Sequence, residues 1–256
     1  MRVERFENAA LYLGNCREIL PTLKQSVNAV ITDPPYSSGG FTRGDRNRES
    51  GKKYTQIDYT NFAGDNRDQR SFLLWCSDWL EMCLDVTVPG GVCFTFIDWR
   101  NLPVMIDAVQ IGGWVYRGII PWNKGEGTRP RQGWFRSQCE YIIAASSGSL
   151  SVKPICEDDI FNYGNGFFTC QTITLTNKKH PTEKPVALME WLLSVRSEWT
   201  VVLDPFMGSG STGVACMRTG RTFIGIEKTE AYFDAACRRI EAASRQPILK
   251  LEAVNA

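Results

Sequence analysis

The chain has 256 residues, 43% of them hydrophobic and 22% charged, and a formal net charge of +1. These proportions allow a sizeable buried core, and the length suits one α/β domain with an insertion, or at most two small domains. The near-neutral total excludes a globally basic nucleic-acid binder, so any such contact must rest on local clusters of charge.

Short apolar runs rich in β-branched and aromatic residues predict seven strands: Ala9–Leu13, Val27–Thr32, Val92–Ile97, Val115–Ile120, Glu140–Ala144, Thr200–Leu203 and Thr222–Ile226. Helical spacing falls between many of them. Arg70–Val86 places Phe72, Leu73, Trp75, Cys76, Trp79, Leu80 and Cys83 largely on one face. Leu102–Val109, Val186–Val195, Thr212–Arg218 and Thr229–Ala243 are the other predicted helices, with Pro185 suited to a first helical turn. Alternation of this kind implies an α/β fold with a doubly wound, mostly parallel seven-stranded sheet. Ligands of such sheets bind at the carboxyl ends of the strands. Two strands end in unusual chemistry there, one in Asp33 and one in Asp204.

Two stretches do not read as core. Residues 37–66 follow the Asp33 strand and are rich in Gly, Arg, Asp, Asn and Ser, with Arg43, Arg46, Arg48, Lys52 and Lys53 among them. Loops longer than ~15 residues are usually functional or disordered. The second stretch, Lys124 to Gln138, carries Lys124, Arg129, Arg131 and Arg136 with Trp134 and Phe135. Basic residues interleaved with aromatics suit phosphate contact and base stacking, and equally a solvated charged loop.

Nine cysteines are present, none in a C-x-x-C pair, beside a single histidine. No zinc-ligand spacing can be assembled, and several cysteines lie in apolar runs, which reads as buried thiols in a reducing compartment. No apolar stretch approaches the ~20 residues of a membrane span, and no apolar run follows the charged N-terminus, so the expected location is cytoplasmic.

Asp204-Pro205-Phe206-Met207-Gly208-Ser209-Gly210-Ser211-Thr212-Gly213 follows a strand and precedes a helix. Gly208, Gly210 and Gly213 satisfy G-x-G-x-x-G, and Glu227 ends the next strand, which is also the dinucleotide-binding pattern. No lysine stands where a P-loop needs one. A carboxylate at the mouth of the loop repels a pyrophosphate and suits a cationic partner, such as the amino group of an amino-acid moiety. Glu227 can accept from two ribose hydroxyls under either reading.

Asp33-Pro34-Pro35-Tyr36, in this order with Asp204–Gly213, resembles the amino-group (N6-adenine/N4-cytosine) DNA methyltransferases, in the permuted β group whose catalytic segment comes first and cofactor loop last. Leu13-Gly14-Asn15-Cys16, Pro89-Gly90-Gly91, Pro121-Trp122-Asn123-Lys124, Glu140-Tyr141-Ile142-Ile143 and His180-Pro181-Thr182-Glu183-Lys184-Pro185 extend the resemblance over nearly the whole chain. It implies a Rossmann-like methyltransferase sheet with circularly permuted motif order, forming a single methyltransferase domain over residues 1–256. It implies S-adenosyl-L-methionine as cofactor, held by Asn15, Cys16, Asp33, His180, Lys184, Asp204, Pro205, Phe206, Gly208, Gly210, Ser211, Thr212 and Glu227. Asn15 departs from the pattern, because an aspartate is commoner there.

The resemblance also implies double-stranded DNA as partner. Residues 37–66 form the expected flexible DNA-binding insertion, residues 146–179 a short target-recognition region, and Arg43, Arg46, Arg48, Lys52, Lys53, Lys124, Arg129, Arg131 and Arg136 the expected phosphate contacts. A homodimer is compatible with it. So is a restriction endonuclease acting at the same site without direct contact.

The chemistry follows from the residues. An exocyclic amino nitrogen is a poor nucleophile because its lone pair is delocalised into the ring. Asp33 and the Pro34 carbonyl, stiffened by two prolines, supply acceptors that localise it, and Tyr36 supplies a face for a flipped base. Direct in-line attack on the methyl group then needs mainly positioning and electrostatics. Asp at the head of the tetrapeptide goes with adenine N6 in this family, and serine with cytosine N4. Adenine is therefore the expected base and cytosine N4 the alternative. A nicotinamide-dependent oxidoreductase explains Gly208–Gly213 and Glu227 but leaves Asp33–Tyr36 unexplained. A non-catalytic nucleic-acid-binding module has no use for an intact Asp33 and Tyr36.

Overall fold

The computed structural model describes residues 2–24, 26–36, 68–126, 128, 133, 135–150, 166–171 and 183–248. The strands are β1 (Arg2–Phe6), β2 (Ala9–Leu13), β3 (Val27–Thr32), β4 (Thr87–Ile97), β5 (Val115–Asn123), β6 (Cys139–Ser146), β7 (Phe168–Thr169), β8 (Val201–Asp204) and β9 (Thr222–Glu227). The helices are α1 (Cys16–Ile19), α2 (Gln69–Asp85), α3 (Leu102–Ile111), α4 (Val186–Ser194), α5 (Ser211–Arg218) and α6 (Glu230–Ser244). All seven expected strands are present. β1 and β7 are additions that carry too little apolar sequence to announce themselves.

The strands form one sheet in the order β1-β2-β9-β8-β3-β4-β6-β5-β7. β2, β9, β8, β3 and β4 run parallel, and β6 is antiparallel to both β4 and β5. β1 folds back on β2 as a hairpin, and β7 adds a short parallel pair at Trp122 and Phe168. These two short strands extend the seven-stranded sheet at its edges.

Both faces of the sheet are covered, which is why its central strands read as continuous apolar runs. α4, α5 and α6 cover one face through Leu188, Leu192, Val214, Phe233 and Ile240. α1, α2 and α3 cover the other through Ile19, Phe72, Trp79, Leu80 and Met105. The period of two sorts β4 between them: Val92, Phe94 and Phe96 face the first layer and Cys93 the second. α2 starts where the Asp68 carboxylate caps the amides of Arg70 and Ser71, each at 2.9 Å.

Cys16, Cys76, Cys83, Cys93 and Cys216 are buried, packed as small hydrophobes. Among the described residues no helix is long and apolar enough to cross a membrane. Among them, too, no cluster of three potential metal ligands exists.

Trp79 is fully buried on α2, with its ring edge-on to Phe206 at 5.1 Å. Trp79→Ala should cost about 3–5 kcal/mol of stability, the usual range for a large aromatic removed from a core. Urea unfolding of the two proteins side by side measures it, and a loss below 1 kcal/mol would contradict this packing.

Candidate active site

β3 and β8 are hydrogen-bonded neighbours, with Val30 beside Leu203. Both strands run the same way, so Asp33 and Asp204 emerge together at the carboxyl edge. Between them, the Thr32 hydroxyl donates to Asp204 Oδ1 at 2.8 Å. The Thr212 hydroxyl donates to Asp204 Oδ2 at 2.7 Å, and the Phe206 amide to Oδ1 at 3.1 Å. The carboxylate expected to face a cationic ligand group is thus engaged by three donors of the protein itself, at 3% exposure. Burial pushes the Asp204 carboxyl up to about 7, against the pull of the two threonine hydroxyls.

The glycine loop follows directly. Gly208 and Gly210 have φ of +51° and +82°, a conformation that favours glycine. The Gly208 amide donates to Glu227 Oε2 at 3.0 Å and the Thr229 amide to Oε1 at 2.7 Å. A side chain at Gly208 would meet nothing within 4 Å, so the loop faces open space there. At Gly213 a Cβ would lie 2.4 Å from Ile240 Cδ1, which is how closely α5 approaches α6. Pro205 is buried, and Phe206 packs on Trp75 and Trp79. Ser211 and Thr212 form the first turn of α5. Glu227 is half-buried, and burial raises its carboxyl above the ordinary value.

Leu13 pairs with Glu227 across β2 and β9, so the segment from Gly14 to Cys16 begins beside Glu227. Asn15 caps α1 by accepting the Arg17 amide at 3.2 Å. The Cys16 thiol is buried, and burial pushes it up to about 12. Asn15 thus serves α1 and Cys16 the core.

The tetrapeptide sits at the centre of a charge network. Asp33 Oδ1 accepts the Tyr36 hydroxyl at 2.5 Å, and Oδ2 accepts Lys184 Nζ at 2.5 Å. Lys184 Nζ also lies 3.4 Å from Glu140 Oε2, and Lys124 Nζ lies 3.2 Å from Glu140 Oε1. The Lys184 ammonium stands over the Tyr36 and Phe96 rings at 5.5 and 5.4 Å. Burial raises the Asp33 carboxyl, and Lys184 and the Tyr36 hydroxyl offset part of that rise. Burial works against the Lys184 charge, but Asp33 and Glu140 outweigh it and raise its pKa. The same two lysines overcome the burial of Glu140 and lower its pKa.

Two expected residues have protein partners within the site. Lys184, assigned to the cofactor, is bonded to Asp33. Lys124, assigned to a DNA phosphate, is turned inward onto Glu140. The register explains this: Trp122 lies opposite Glu140 and Asn123 opposite Cys139, so Lys124 shares a face with Trp122 and reaches Glu140 diagonally. Arg136 is exposed and donates to the Glu126 carbonyl at 3.0 Å, beside Phe135 at 81% exposure. His180, Arg43, Arg46, Arg48, Lys52, Lys53, Arg129 and Arg131 lie outside the described residues.

Sequence reasoning did not assign Glu140, Thr32, Glu183 or Arg239. Arg239 Nη1 donates to the Ser209 carbonyl at 2.7 Å and its hydroxyl at 2.8 Å, and Nη2 pairs with Glu183 at 2.6 Å. Glu140 and Glu183 each carried a signal, since both stand in motifs quoted for the resemblance.

A sheet that sets a glycine loop and an Asp-Pro-Pro-Tyr turn side by side is an α/β methyltransferase architecture. The DNA methylase family of the N6/N4 class matches residues 27–238, and the chain belongs to it. It is 29% identical over 234 residues to the type II methyltransferase M2.DpnII of Streptococcus pneumoniae, covering 85% of this chain and 84% of that protein. The solved complex of M1.HpyAVI with S-adenosylmethionine is 27% identical, with a TM-score of 0.63 over 91% of this chain and 98% of that one. The cytosine-N4-specific PvuII DNA methyltransferase shares the fold at 17% identity, with a TM-score of 0.67 over 91% and 86% of the two chains.

Asp204 gives a test in pH. Its folded pKa is raised, so its contribution to stability is fully present below the ordinary carboxylate range and is lost as pH rises through about 7. Thr32→Val removes one donor to the ionised carboxylate and should cost about 1–3 kcal/mol at alkaline pH. The loss should shrink at mildly acidic pH, where the carboxyl is protonated. Denaturant titrations at the two pH values check this, and an equal loss at both would contradict it.

Proposed function

We propose that this DNA methyltransferase transfers a methyl group from S-adenosyl-L-methionine to the exocyclic N6 of adenine in double-stranded DNA. The observation that carries the reading is the placement of the Asp33 carboxylate beside the glycine loop, joined through the Thr32–Asp204 hydrogen bond.

The residues around the loop suit the cofactor. Gly208 faces open space, and Glu227 stands beside it with the acceptor oxygens a ribose diol needs. Glu227, the loop from Asp204 to Thr212 and the Asn15–Cys16 backbone would hold it, together with His180. S-adenosylmethionine supplies an electrophilic methyl group on a sulfonium. The protein supplies the rest. Asp33 accepts an N–H of the flipped base and localises the nitrogen lone pair, with the Pro34 carbonyl as second acceptor. Tyr36 gives the base a face to stack on. The proton that the nitrogen sheds after alkylation passes to the Asp33 carboxylate, whose raised pKa suits it to receive one. No covalent enzyme intermediate is needed.

The Asp at the head of the tetrapeptide supports adenine over cytosine N4. One domain carries the chemistry. Residues 37–66 and 146–179 would supply DNA contact and target recognition, and Arg136 and Phe135 stand between β5 and β6, at the carboxyl edge of the sheet.

Labelled methyl transfer to unmethylated duplexes, followed by nucleoside analysis, should give N6-methyladenine, and label found only in N4-methylcytosine would refute adenine. Asp33→Ala should lower transfer by at least about a hundredfold, the scale on which a positioned proton acceptor acts. S-adenosylmethionine binding should persist in that variant. Undiminished transfer by it would sink the mechanism.

A further inference from the structure

Lys184 stands in the segment before α4, at 7% exposure, yet its ammonium reaches the catalytic turn. It has two carboxylates to choose from: Asp33 Oδ2 at 2.5 Å and Glu140 Oε2 at 3.4 Å. The two oxygens of Asp33 are therefore not equivalent. Oδ2 is held by a buried ammonium, and Oδ1 by the hydroxyl of Tyr36, a neutral donor from the same turn. Both bonds reach a charged carboxylate, but only the one to Oδ2 pairs two opposite charges, so Oδ1 is the oxygen an incoming N–H can take over.

We propose that Lys184 is a positioning residue for methyl transfer: shared between Asp33 and Glu140, it fixes Oδ2, keeps the carboxylate charged, and leaves Oδ1 to accept the base amino group. The proposal rests on the methyltransferase reading above and gives one residue of its closing segment a different task. A lysine that only closed over the cofactor would have no need of two carboxylate partners on the side of the base.

The groups facing Asp33 come from every neighbouring strand end. Tyr36 and Lys184 bond it directly, Glu140 on β6 repels it, and Asp204 at the end of β8 lies in its field. Asp98, just after β4, lies in the field of Tyr36 and is itself paired with Arg100. Lys124 at the end of β5 holds the second oxygen of Glu140. Burial already pushes the Asp33 carboxyl up, so removing the cation should protonate it within the working range. Removing Glu140 should do the reverse.

The test is single-turnover methyl transfer at saturating cofactor and duplex DNA, followed from mildly acidic to alkaline pH, with S-adenosylmethionine affinity measured by calorimetry on each protein. Lys184→Met removes the charge and keeps an unbranched side chain in the buried position. It should slow transfer about tenfold to a hundredfold at neutral pH, the loss expected for a charged hydrogen bond to the reacting acceptor. Its acid limb should move to higher pH, while cofactor affinity stays within about twofold. Lys184→Arg should keep the wild-type limb, and Glu140→Gln should move it to lower pH. Weakened cofactor binding in Lys184→Met with an unmoved acid limb would return the lysine to the cofactor and overturn the proposal. Should Lys184→Met fail to fold, an unmoved limb in Glu140→Gln overturns it equally. Loss of all transfer by the wild-type protein would instead sink the methyltransferase reading, and this inference with it.

Discussion

The hydrogen bond from Thr32 to Asp204 joins residues 172 positions apart, and the site is built around it. It exists because β3 and β8 lie side by side and parallel. From β3 the chain goes on to α2 and β4, on one side of the pair. From β8 it goes on to α5 and β9, on the other. Connections that leave in opposite directions open a crevice at the carboxyl ends, and both functional turns start in it. The permuted order puts the two turns far apart in sequence and costs nothing in space, because only the neighbouring strands matter.

A second constraint is charge. Asp33, Glu140, Lys184 and Lys124 bring two negative and two positive groups into a largely buried cluster. An isolated ionised group there would change its protonation state to avoid its charge. Here no charge is isolated, because each lysine stands on at least one carboxylate. Such a cluster is weak evidence for stability, since desolvation cancels most of the attraction. Its effect is on geometry: it fixes which oxygen of Asp33 faces where.

Much of this was legible in the sequence, and the limit is physical. The expected strands Ala9–Leu13 and Val27–Thr32 match β2 and β3 end to end, because strands in a sheet covered on both faces are rich in apolar residues. The glycine loop was legible because a positive φ at Gly208 and Gly210 restricts residue choice. Lys124 was not, because its partner is set by the β5–β6 register. Among several basic residues in one stretch, nothing local marks the one that turns inward. The pairing of Lys184 with Asp33 was not legible either, since adjacency in sequence to Glu183 says nothing about which strand end each side chain meets.

That adjacency has a structural meaning. Lys184 precedes Pro185, which biases it to extended backbone, and successive side chains on extended backbone point opposite ways. Glu183 reaches Arg239, which holds both the carbonyl and the hydroxyl of Ser209 in the glycine loop. Lys184 reaches Asp33 in the Asp-Pro-Pro-Tyr turn. Two consecutive residues thus tie down the two halves of the site from one short piece of backbone. A shift of that backbone moves both anchors together, so the loop that suits a methyl donor and the carboxylate that suits an acceptor are held in a single geometric relation. The Thr32–Asp204 bond ties them below, at the strand ends, and Glu183–Lys184 ties them above.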